Sequence, residues 1–225
     1  VQITAQPQSQ TVTYGDDVQL SVSAQNPSGG TDGITYQWYK NGAALTGETS
    51  NTLTLTKPNA GTYQYYCAVT YGGSTVKSNT ATVTVNKAAG GVTINVDPGK
   101  EYNGQPAALT AEDYTVTGDG TVTVEYKKSG EADSTYTTTA PKDAGSYTVR
   151  VTKAVGTNYA EAPTTSDFTI SRKPVTVSGI AASDKDYDGK ATATLVYTNA
   201  VFTGKLESDT LSVTDPVVGK VTEHY

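Results

Sequence analysis

The stretch that decides the fold reads Ala60-Gly61-Thr62-Tyr63-Gln64-Tyr65-Tyr66-Cys67-Ala68-Val69. Successive side chains of a β-strand point to opposite faces, so residues two apart share a face. One face of this stretch is therefore formed by Tyr63, Tyr65, Cys67 and Val69. The pattern predicts a strand that turns one apolar face towards a core.

The same alternation recurs on both sides of this strand. The apolar positions are Val18, Leu20, Val22 and Ala24; Ile34, Tyr36 and Trp38; Leu53 and Leu55; and Val83 and Val85. Turn-forming residues separate these runs, as in Asn26–Gly30 and Tyr71–Ser74. Several short strands joined by such turns indicate an antiparallel β-sandwich.

Composition extends this prediction to the whole chain of 225 residues. There are 16 Tyr and no Met, and hydrophobic residues make up 36%. The excess of β-branched and aromatic residues favours strands and argues against a helix-covered parallel-sheet enzyme. The formal net charge of -6 argues against a nucleic-acid partner, because binding to phosphates requires excess positive charge.

The inventory of reactive residues predicts a protein that is not an enzyme. Cys67 is the one cysteine, so no intramolecular disulfide forms, and the one histidine, His224, lies next to the end of the chain. A catalytic triad or a zinc site would need more such groups held in a pocket. We therefore expect no cofactor, and no run of residues is apolar and long enough to span a membrane. Any attachment to a cell envelope must come from regions outside this chain.

Two motifs recur with nearly equal spacing. Ala60-Gly61-Thr62-Tyr63 is echoed 84 residues later by Ala144-Gly145-Ser146-Tyr147, and Lys100-Glu101-Tyr102-Asn103-Gly104 is echoed 85 residues later by Lys185-Asp186-Tyr187-Asp188-Gly189. A shared period of this kind predicts a tandem array of similar small domains. The sequence predicts three, with boundaries at 1–87, 88–172 and 173–225. Their short joints predict an extended, semi-rigid array.

The first domain resembles the immunoglobulin-like family. Gln37-Trp38-Tyr39-Lys40-Asn41-Gly42 resembles its strand C with the core Trp, and Tyr65-Tyr66-Cys67 resembles its strand F. The resemblance places Val22 where the partner of Cys67 would stand, so it implies a buried thiol on Trp38 instead of a disulfide. It also implies a tyrosine corner: the spacing to Cys67 favours Tyr65, whereas the comparison with Tyr147 favours Tyr63.

The later domains resemble two kinds of bacterial repeat. Three motifs of the second domain are similar to the mostly-bacterial immunoglobulin-like (MBG) repeats: Tyr102–Pro106, Asp143–Tyr147 and Asn158-Tyr159. The third domain opens with Lys173–Val177 and Lys185–Gly189, which are similar to the YDG-type repeats. The third domain has only 53 residues, so we expect it to be truncated and to expose a sheet edge. These resemblances imply a bacterial extracellular or cell-surface protein. Taken together, the predicted structural core residues are Val22, Trp38, Tyr63, Tyr65, Cys67, Tyr102, Tyr147 and Tyr187.

A calcium site is one alternative reading of the third domain. Asp184, Asp186 and Asp188, followed by Gly189, have the D-x-D-x-D-G opening of a calcium loop. The twelfth position of such a loop holds a bidentate Glu, but here it is Leu195. A solvated turn is therefore the favoured interpretation, and calcium the minor one.

The leading functional hypothesis is a non-catalytic stalk, spacer or adhesion segment, expected to be a monomer. Its rival is a module that binds glycan or a host protein through outward tyrosines such as Tyr39, Tyr66 and Tyr71. A further alternative is a Lys-Asn isopeptide crosslink, for which the sequence specifies no pair.

Overall fold

A computed structural model describes residues 1–190 and 194–213 of the chain, and these residues are organised almost entirely as strands. The helical element among them is one 3-10 turn at Asp133–Thr135. The all-β class predicted from the sequence is confirmed. His224 lies outside the described residues. Within the described part of the chain, no helix has the length and hydropathy that would cross a membrane.

Ten strands make up what we call the first sandwich. They are β1 (Gln2–Ala5), β2 (Gln10–Thr13), β3 (Val18–Ser21), β4 (Ser23–Gln25), β5 (Thr35–Lys40), β6 (Ala43–Ala44), β7 (Thr52–Leu55), β8 (Gly61–Tyr71), β9 (Ser74–Lys77) and β10 (Ala81–Asn86). One sheet has the order β2-β10-β8-β5-β6, and β9 also pairs with β8. Strand β2 runs parallel to β10, whereas the β1–β4 and β3–β7 pairs are antiparallel.

The core of the first sandwich follows the alternation in the sequence. In β3 the side chains alternate strictly between buried and exposed, and in β10 every second residue is buried. One cluster joins the inner faces of these sheets and includes Leu20, Trp38, Leu53, Cys67 and Val83. Burial of this apolar surface is the main force that holds the two layers together.

Six strands make up the second sandwich. They are β11 (Gly91–Ile94), β12 (Lys100–Glu101), β13 (Tyr114–Thr117), β14 (Val122–Lys128), β15 (Gly145–Lys153) and β16 (Ala162–Ser171). The sheet order β12-β16-β15-β14, with β12 parallel to β16, repeats the order β2-β10-β8-β5 of the first sandwich. The antiparallel β11–β13 pair likewise corresponds to β1–β4. The tandem arrangement of sandwiches is thus visible in the strand order itself.

The remaining described strands form two small antiparallel pairs, which we call the third strand set. They are β17 (Thr176–Ser178) with β20 (Val201–Thr203), and β18 (Ala181–Ala182) with β19 (Leu195–Val196). Several apolar side chains here are exposed, including Val177, Ile180 and Val201. The pairs are too short to enclose a core by themselves.

The contacts divide the chain into two compact units. The first comprises Val1–Asn95, Ala111–Val124 and Arg150–Thr165, and the second comprises Val96–Thr110, Glu125–Val149 and the chain from Ser166. The division into domains at 1–87, 88–172 and 173–225 stays a prediction.

Candidate functional site

Trp38 and Cys67 lie opposite each other at the centre of the first sandwich. They are register partners on β5 and β8, and both side chains are fully buried. Trp38 Nε1 donates a hydrogen bond to the carbonyl of Ser50 at 2.9 Å, which satisfies the indole inside the core. Val22 is buried in the same cluster. Burial raises the pKa of the Cys67 thiol to about 11, so the thiolate that a nucleophile requires is disfavoured.

Tyr63 and Tyr147 make equivalent tyrosine corners. The Tyr63 hydroxyl donates to the Asn59 carbonyl at 3.0 Å, and the Tyr147 hydroxyl donates to the Asp143 carbonyl at 3.0 Å. Tyr65 instead lies in the core with 1% of its surface exposed. Of the two alternatives that the sequence left open, the structure therefore selects Tyr63. Tyr147 is buried and Tyr63 is half-buried.

The two Lys-x-Tyr loops, Lys100–Gly104 and Lys185–Gly189, repeat the same hydrogen bonds. Lys100 Nζ donates to the Gln105 carbonyl at 2.7 Å, and Lys185 Nζ donates to the Lys190 carbonyl at 2.8 Å. In each loop the side-chain oxygen of the residue before the glycine accepts from the backbone N–H two positions on. The glycines have φ of +75° and +74°. The internal repeat seen in the sequence is thus a structural repeat.

The tyrosines of these two loops differ in burial. Tyr102 is half-buried, and its hydroxyl donates to Asp209 Oδ1 at 3.1 Å. This bond is the main reason that the pKa of Tyr102 is raised, because it stabilises the neutral phenol. Tyr187 is 97% exposed, so its predicted place in a core is wrong. The physical reason is that neither of the two short strand pairs described in the third strand set covers this ring.

The carboxylates proposed for calcium do not assemble a site. Asp184, Asp186 and Asp188 do not form a group that could hold a metal ion, nor do any other His, Cys, Asp or Glu residues within 1–190 and 194–213. Asp188 instead accepts hydrogen bonds from Lys185 Nζ at 2.7 Å and from the backbone N–H of Lys190 at 2.9 Å. The ammonium lowers the pKa of this carboxyl, as does the backbone bond. Within the described residues these carboxylates therefore do not converge, and the calcium reading stays an untested alternative to the solvated turn.

A hairpin tip between β15 and β16 contacts the end of the first sandwich. We call this region the joint; it comprises Asn59–Ala60, Lys87–Gly90, Gly118–Gly120 and Lys153–Ala160, all within the first compact unit. Asn158 connects these segments. Its Oδ1 accepts from Ala60 N at 2.9 Å, and its Nδ2 donates to Asn59 Oδ1 at 3.1 Å. Its carbonyl accepts from Ala88 N at 2.9 Å.

Asp119 holds the hairpin tip in place. Its Oδ2 accepts from Asn158 N at 3.0 Å, and its Oδ1 accepts from Tyr159 N at 3.1 Å. These backbone bonds, the one from Asn158 first, lower the pKa of Asp119 because they favour the charged carboxylate. Lys87 Nζ adds a hydrogen bond to the Gly156 carbonyl at 2.5 Å. The tip is thus bound both to the first sandwich and to the turn that contains Asp119.

Tyr159 fills the centre of the joint. Its ring meets the Tyr14 ring edge-on, with centroids 5.5 Å apart. The ammonium of Lys153 lies 5.8 Å from the Tyr159 centroid and donates to the Ala160 carbonyl at 2.8 Å. Lys153 is fully buried, which is rare for an unpaired lysine. Lys153 donates to a backbone carbonyl and not to an asparagine side chain, so it does not specify a pair for a Lys-Asn isopeptide crosslink. That alternative stays a prediction.

Glycines allow the close packing of the joint. A Cβ at Gly118, where φ is +109°, would lie 2.5 Å from Tyr159 Cγ. A Cβ at Gly90, Gly120 or Gly156 would overlap a carbonyl or carboxylate oxygen. The sequence alone does not distinguish these glycines as a set. The sequence signal that could have pointed to the joint is the recurrence of these glycines close to Asp119 and Asn158.

The outward tyrosines of the first sandwich pack against each other. Tyr39 and Tyr66 are register partners, and their rings stack with centroids 4.7 Å apart and an angle of 6°. The ammonium of Lys77 lies 5.1 Å from the Tyr66 centroid. Tyr71 is half-buried. The stacked pair is a cross-strand contact of the kind that stabilises a sheet.

Comparison with known proteins agrees with the β-sandwich fold of the first sandwich. Residues 1–85 match the immunoglobulin domain family. A stretch of 153 residues is 29% identical to the highly immunogenic outer capsid protein of Enterobacteria phage T4, covering 63% of this chain and 40% of that protein. The chain therefore spans less than half the length of this curated relative. The match to MBG and YDG repeats stays a prediction.

Solved structures with similar backbones include several tandem modules. The immunoglobulin 1–2 module of the Drosophila receptor tyrosine phosphatase DLAR has a TM-score of 0.32 and 18% identity, covering 77% of this chain and 98% of that one. The fibronectin(III)-like modules of Clostridium thermocellum CbhA have a TM-score of 0.32 and 16% identity, covering 76% and 93%. Because these scores are low, the fold assignment depends on the strand order and the family match. The strand order shows a β-sandwich, and residues 1–85 are similar to the immunoglobulin domain family.

Proposed function

We propose that this chain is a non-catalytic spacer segment of a bacterial surface or secreted protein, and that its tandem sandwiches hold a functional region at a set distance and direction. The observation that supports this proposal most directly is the joint. A spacer must transmit orientation between modules. The joint links the turn before β8 and the residues after β10 to the β15–β16 hairpin through side-chain and backbone hydrogen bonds.

The chemistry of the joint supports restricted motion. Each satisfied hydrogen bond contributes only about 1 kcal/mol, but the bonds of Asn158 act together on one residue. A Cβ at Gly90, Gly118, Gly120 or Gly156 would clash with a neighbouring atom, so the segments of the joint pack closely at these positions. Interfaces between domains ordinarily permit relative motion. This one combines hydrogen bonds, an aromatic contact and close packing, so we expect it to be stiff.

A surface location is the second part of the proposal. Immunoglobulin-like domains serve widely as structural and adhesion modules of surface proteins. The T4 relative is named as an outer capsid protein. A phage surface is therefore the alternative carrier to a bacterial envelope. Sequencing the genes around this one distinguishes them: virion structural genes favour the phage carrier, whereas an export signal and a wall anchor favour the bacterial one.

Residual dipolar couplings of the full chain test the spacer proposal. If the joint is stiff, the couplings of residues 1–85 and of Gly91–Ile94, Tyr114–Thr117 and Ala154–Ala160 will fit one alignment tensor. The variant Asn158→Ala should then require two tensors, while Asn95→Ala, which alters an exposed side chain outside the joint, should still require one. Two tensors for the unaltered protein would contradict the proposal.

The rival proposal, binding of glycan or a host protein, has weaker support. Sugar rings stack on free aromatic faces, but Tyr39 and Tyr66 turn one face each towards the other, and Lys77 lies against Tyr66. A glycan array probed with the labelled chain checks this alternative. Specific binding that is lost in Tyr66→Ala would favour it over the spacer.

A further inference from the structure

A cavity of about 330 Å³ lies within the second compact unit, at the end of the second sandwich. Its lining includes Tyr102, Asp143, Ala144, Lys173, Gly204 and Asp209, and Asp209 accepts a hydrogen bond from the Tyr102 hydroxyl. This volume is at the lower end of the range for binding pockets. The cavity takes part in none of the contacts of the joint, whose residues belong to the first compact unit.

Several residues around the cavity are the counterparts of residues in the joint. Tyr14 follows β2 and donates its N–H to Asn86 at the end of β10, at 2.8 Å; Tyr102 follows β12 and donates its N–H to Ser171 at the end of β16, also at 2.8 Å. Asn59 and Asp143 both supply the carbonyl of a tyrosine corner. The residue after each is an alanine, Ala60 or Ala144.

The two sets of counterparts differ in what they bind. The N–H of Ala60 donates to Asn158 Oδ1, whereas Ala144 is exposed and its N–H has no hydrogen-bond partner within residues 1–190 and 194–213. Asn59 Oδ1 accepts from the Asn158 amide. Asp143 is exposed and offers a carboxylate at the corresponding position, which accepts a hydrogen bond more strongly than an amide does.

From this correspondence we infer that the cavity is a docking seat for a β-hairpin tip with the sequence Gly-x-Asn-Tyr, supplied by another module of this kind. The asparagine amide of the tip bridges Ala144 N–H and Asp143, as Asn158 bridges Ala60 and Asn59. The tyrosine of the tip enters the cavity beside Tyr102, as Tyr159 lies beside Tyr14. This inference deepens the proposed spacer function and rests on it, because it describes how one more module would be joined.

An NMR titration of the full chain tests the inference. The probe is a disulfide-cyclised peptide that carries the tip sequence Lys153–Glu161, added to the ¹⁵N-labelled protein at up to millimolar concentration. We expect saturable shifts of the Ala144 and Gly145 amides. A peptide with alanine at the asparagine position should shift them at least about tenfold less at equal concentration.

Two protein variants locate the binding. Ala144→Trp fills the seat and should abolish the shifts, whereas Ala132→Trp, at an exposed loop of the same sandwich, should leave them unchanged. If Ala144→Trp does not fold, the comparison of the two peptides decides. Absence of shifts at millimolar peptide, shifts centred on Ala60 or on Tyr66, or equal shifts with the two peptides would overturn the inference. None of these results alters the dipolar couplings across the joint, so the spacer proposal fails or survives separately.

Discussion

The loops Lys100–Gly104 and Lys185–Gly189 have the same hydrogen bonds, yet Tyr102 is half-buried and Tyr187 is almost fully exposed. The hydrogen bonds join residues within six positions of each other, so the loop sequence determines them. Burial of the tyrosine depends on residues far away, such as Asp209. In these two loops the repeated sequence reproduces the local hydrogen bonds, whereas packing depends on the surrounding chain. Four pairs of positions allow this distinction to be tested.

The largest loss of stability is expected when a side chain that a complete core covers is truncated. Trp38→Ala should destabilise the first sandwich by about 3–5 kcal/mol, because it removes the largest buried side chain and leaves a cavity. Tyr187→Ala should change stability by less than about 0.5 kcal/mol. Urea unfolding followed by far-UV circular dichroism measures both variants. A cost above about 2 kcal/mol for Tyr187→Ala would show that the third strand set covers this ring in solution.

Alanine substitutions at two glycines with positive φ distinguish the stability cost of disturbed packing from that of backbone strain. Alanine at Gly118 adds a Cβ 2.5 Å from the Tyr159 ring, whereas alanine at Gly130, where φ is +83°, meets nothing within 4 Å. We expect Gly130→Ala to cost about 1 kcal/mol of backbone strain. Gly118→Ala should cost about 1–3 kcal/mol more, because the ring must move. Thermal unfolding of the two variants checks this, and equal melting temperatures would contradict the packing of the joint.

The two tyrosine corners offer a smaller contrast. Tyr147→Phe and Tyr63→Phe each remove one hydroxyl and leave a backbone carbonyl without its partner. The cost should be about 1 kcal/mol, and larger at Tyr147, which is the more buried of the two. Chemical denaturation curves of the two variants give the difference. The reverse order would mean that burial does not set the strength of this bond.

The smallest effect concerns two aspartates with lowered pKa. Asp119 is stabilised as a carboxylate chiefly by backbone N–H groups of the joint, and Asp188 chiefly by Lys185. Because each folded pKa lies below the unfolded value of about 3.9, the stabilisation is present above that pH and is lost as the pH falls through the folded pKa.

Amide shifts recorded between about pH 5 and pH 2 follow both carboxyl groups. Protonation of Asp119 should shift Asn158 and Tyr159 together, whereas protonation of Asp188 should shift only its own loop. Added salt should raise the apparent pKa of Asp188 more than that of Asp119, because salt screens the exposed ion pair with Lys185. Asp119→Asn provides the control. Equal salt sensitivity would contradict the assignment of the two causes.

Alternation in the sequence was sufficient to predict the strands and inward faces of the first sandwich. Trp38 and Cys67 lie on runs of regular period, so their shared face follows from strand geometry. The choice between Tyr63 and Tyr65 needed the position of the Asn59 carbonyl, which spacing alone does not give. Tyr187 was predicted to lie in a core because its motif matches that of Tyr102, but the described strand pairs of the third strand set leave its ring exposed.

The joint was the least predictable feature. Its contacts connect residues about 100 positions apart, such as Asn59 and Asn158. Asn and Gly are also common in ordinary turns, so their presence does not identify an interface. The pattern becomes informative only when the close approach of Tyr159 to Gly118 is known.

Strand β2 runs parallel to β10, and this direction determines how the first sandwich responds to tension. A pull on the two ends of the module slides these strands past each other, so that their contacts must rupture together instead of one at a time. Four residue pairs share the load here, whereas two pairs join β12 to β16. Under a steady stretch, we therefore expect the first sandwich to be the stronger mechanical element and the second to yield earlier.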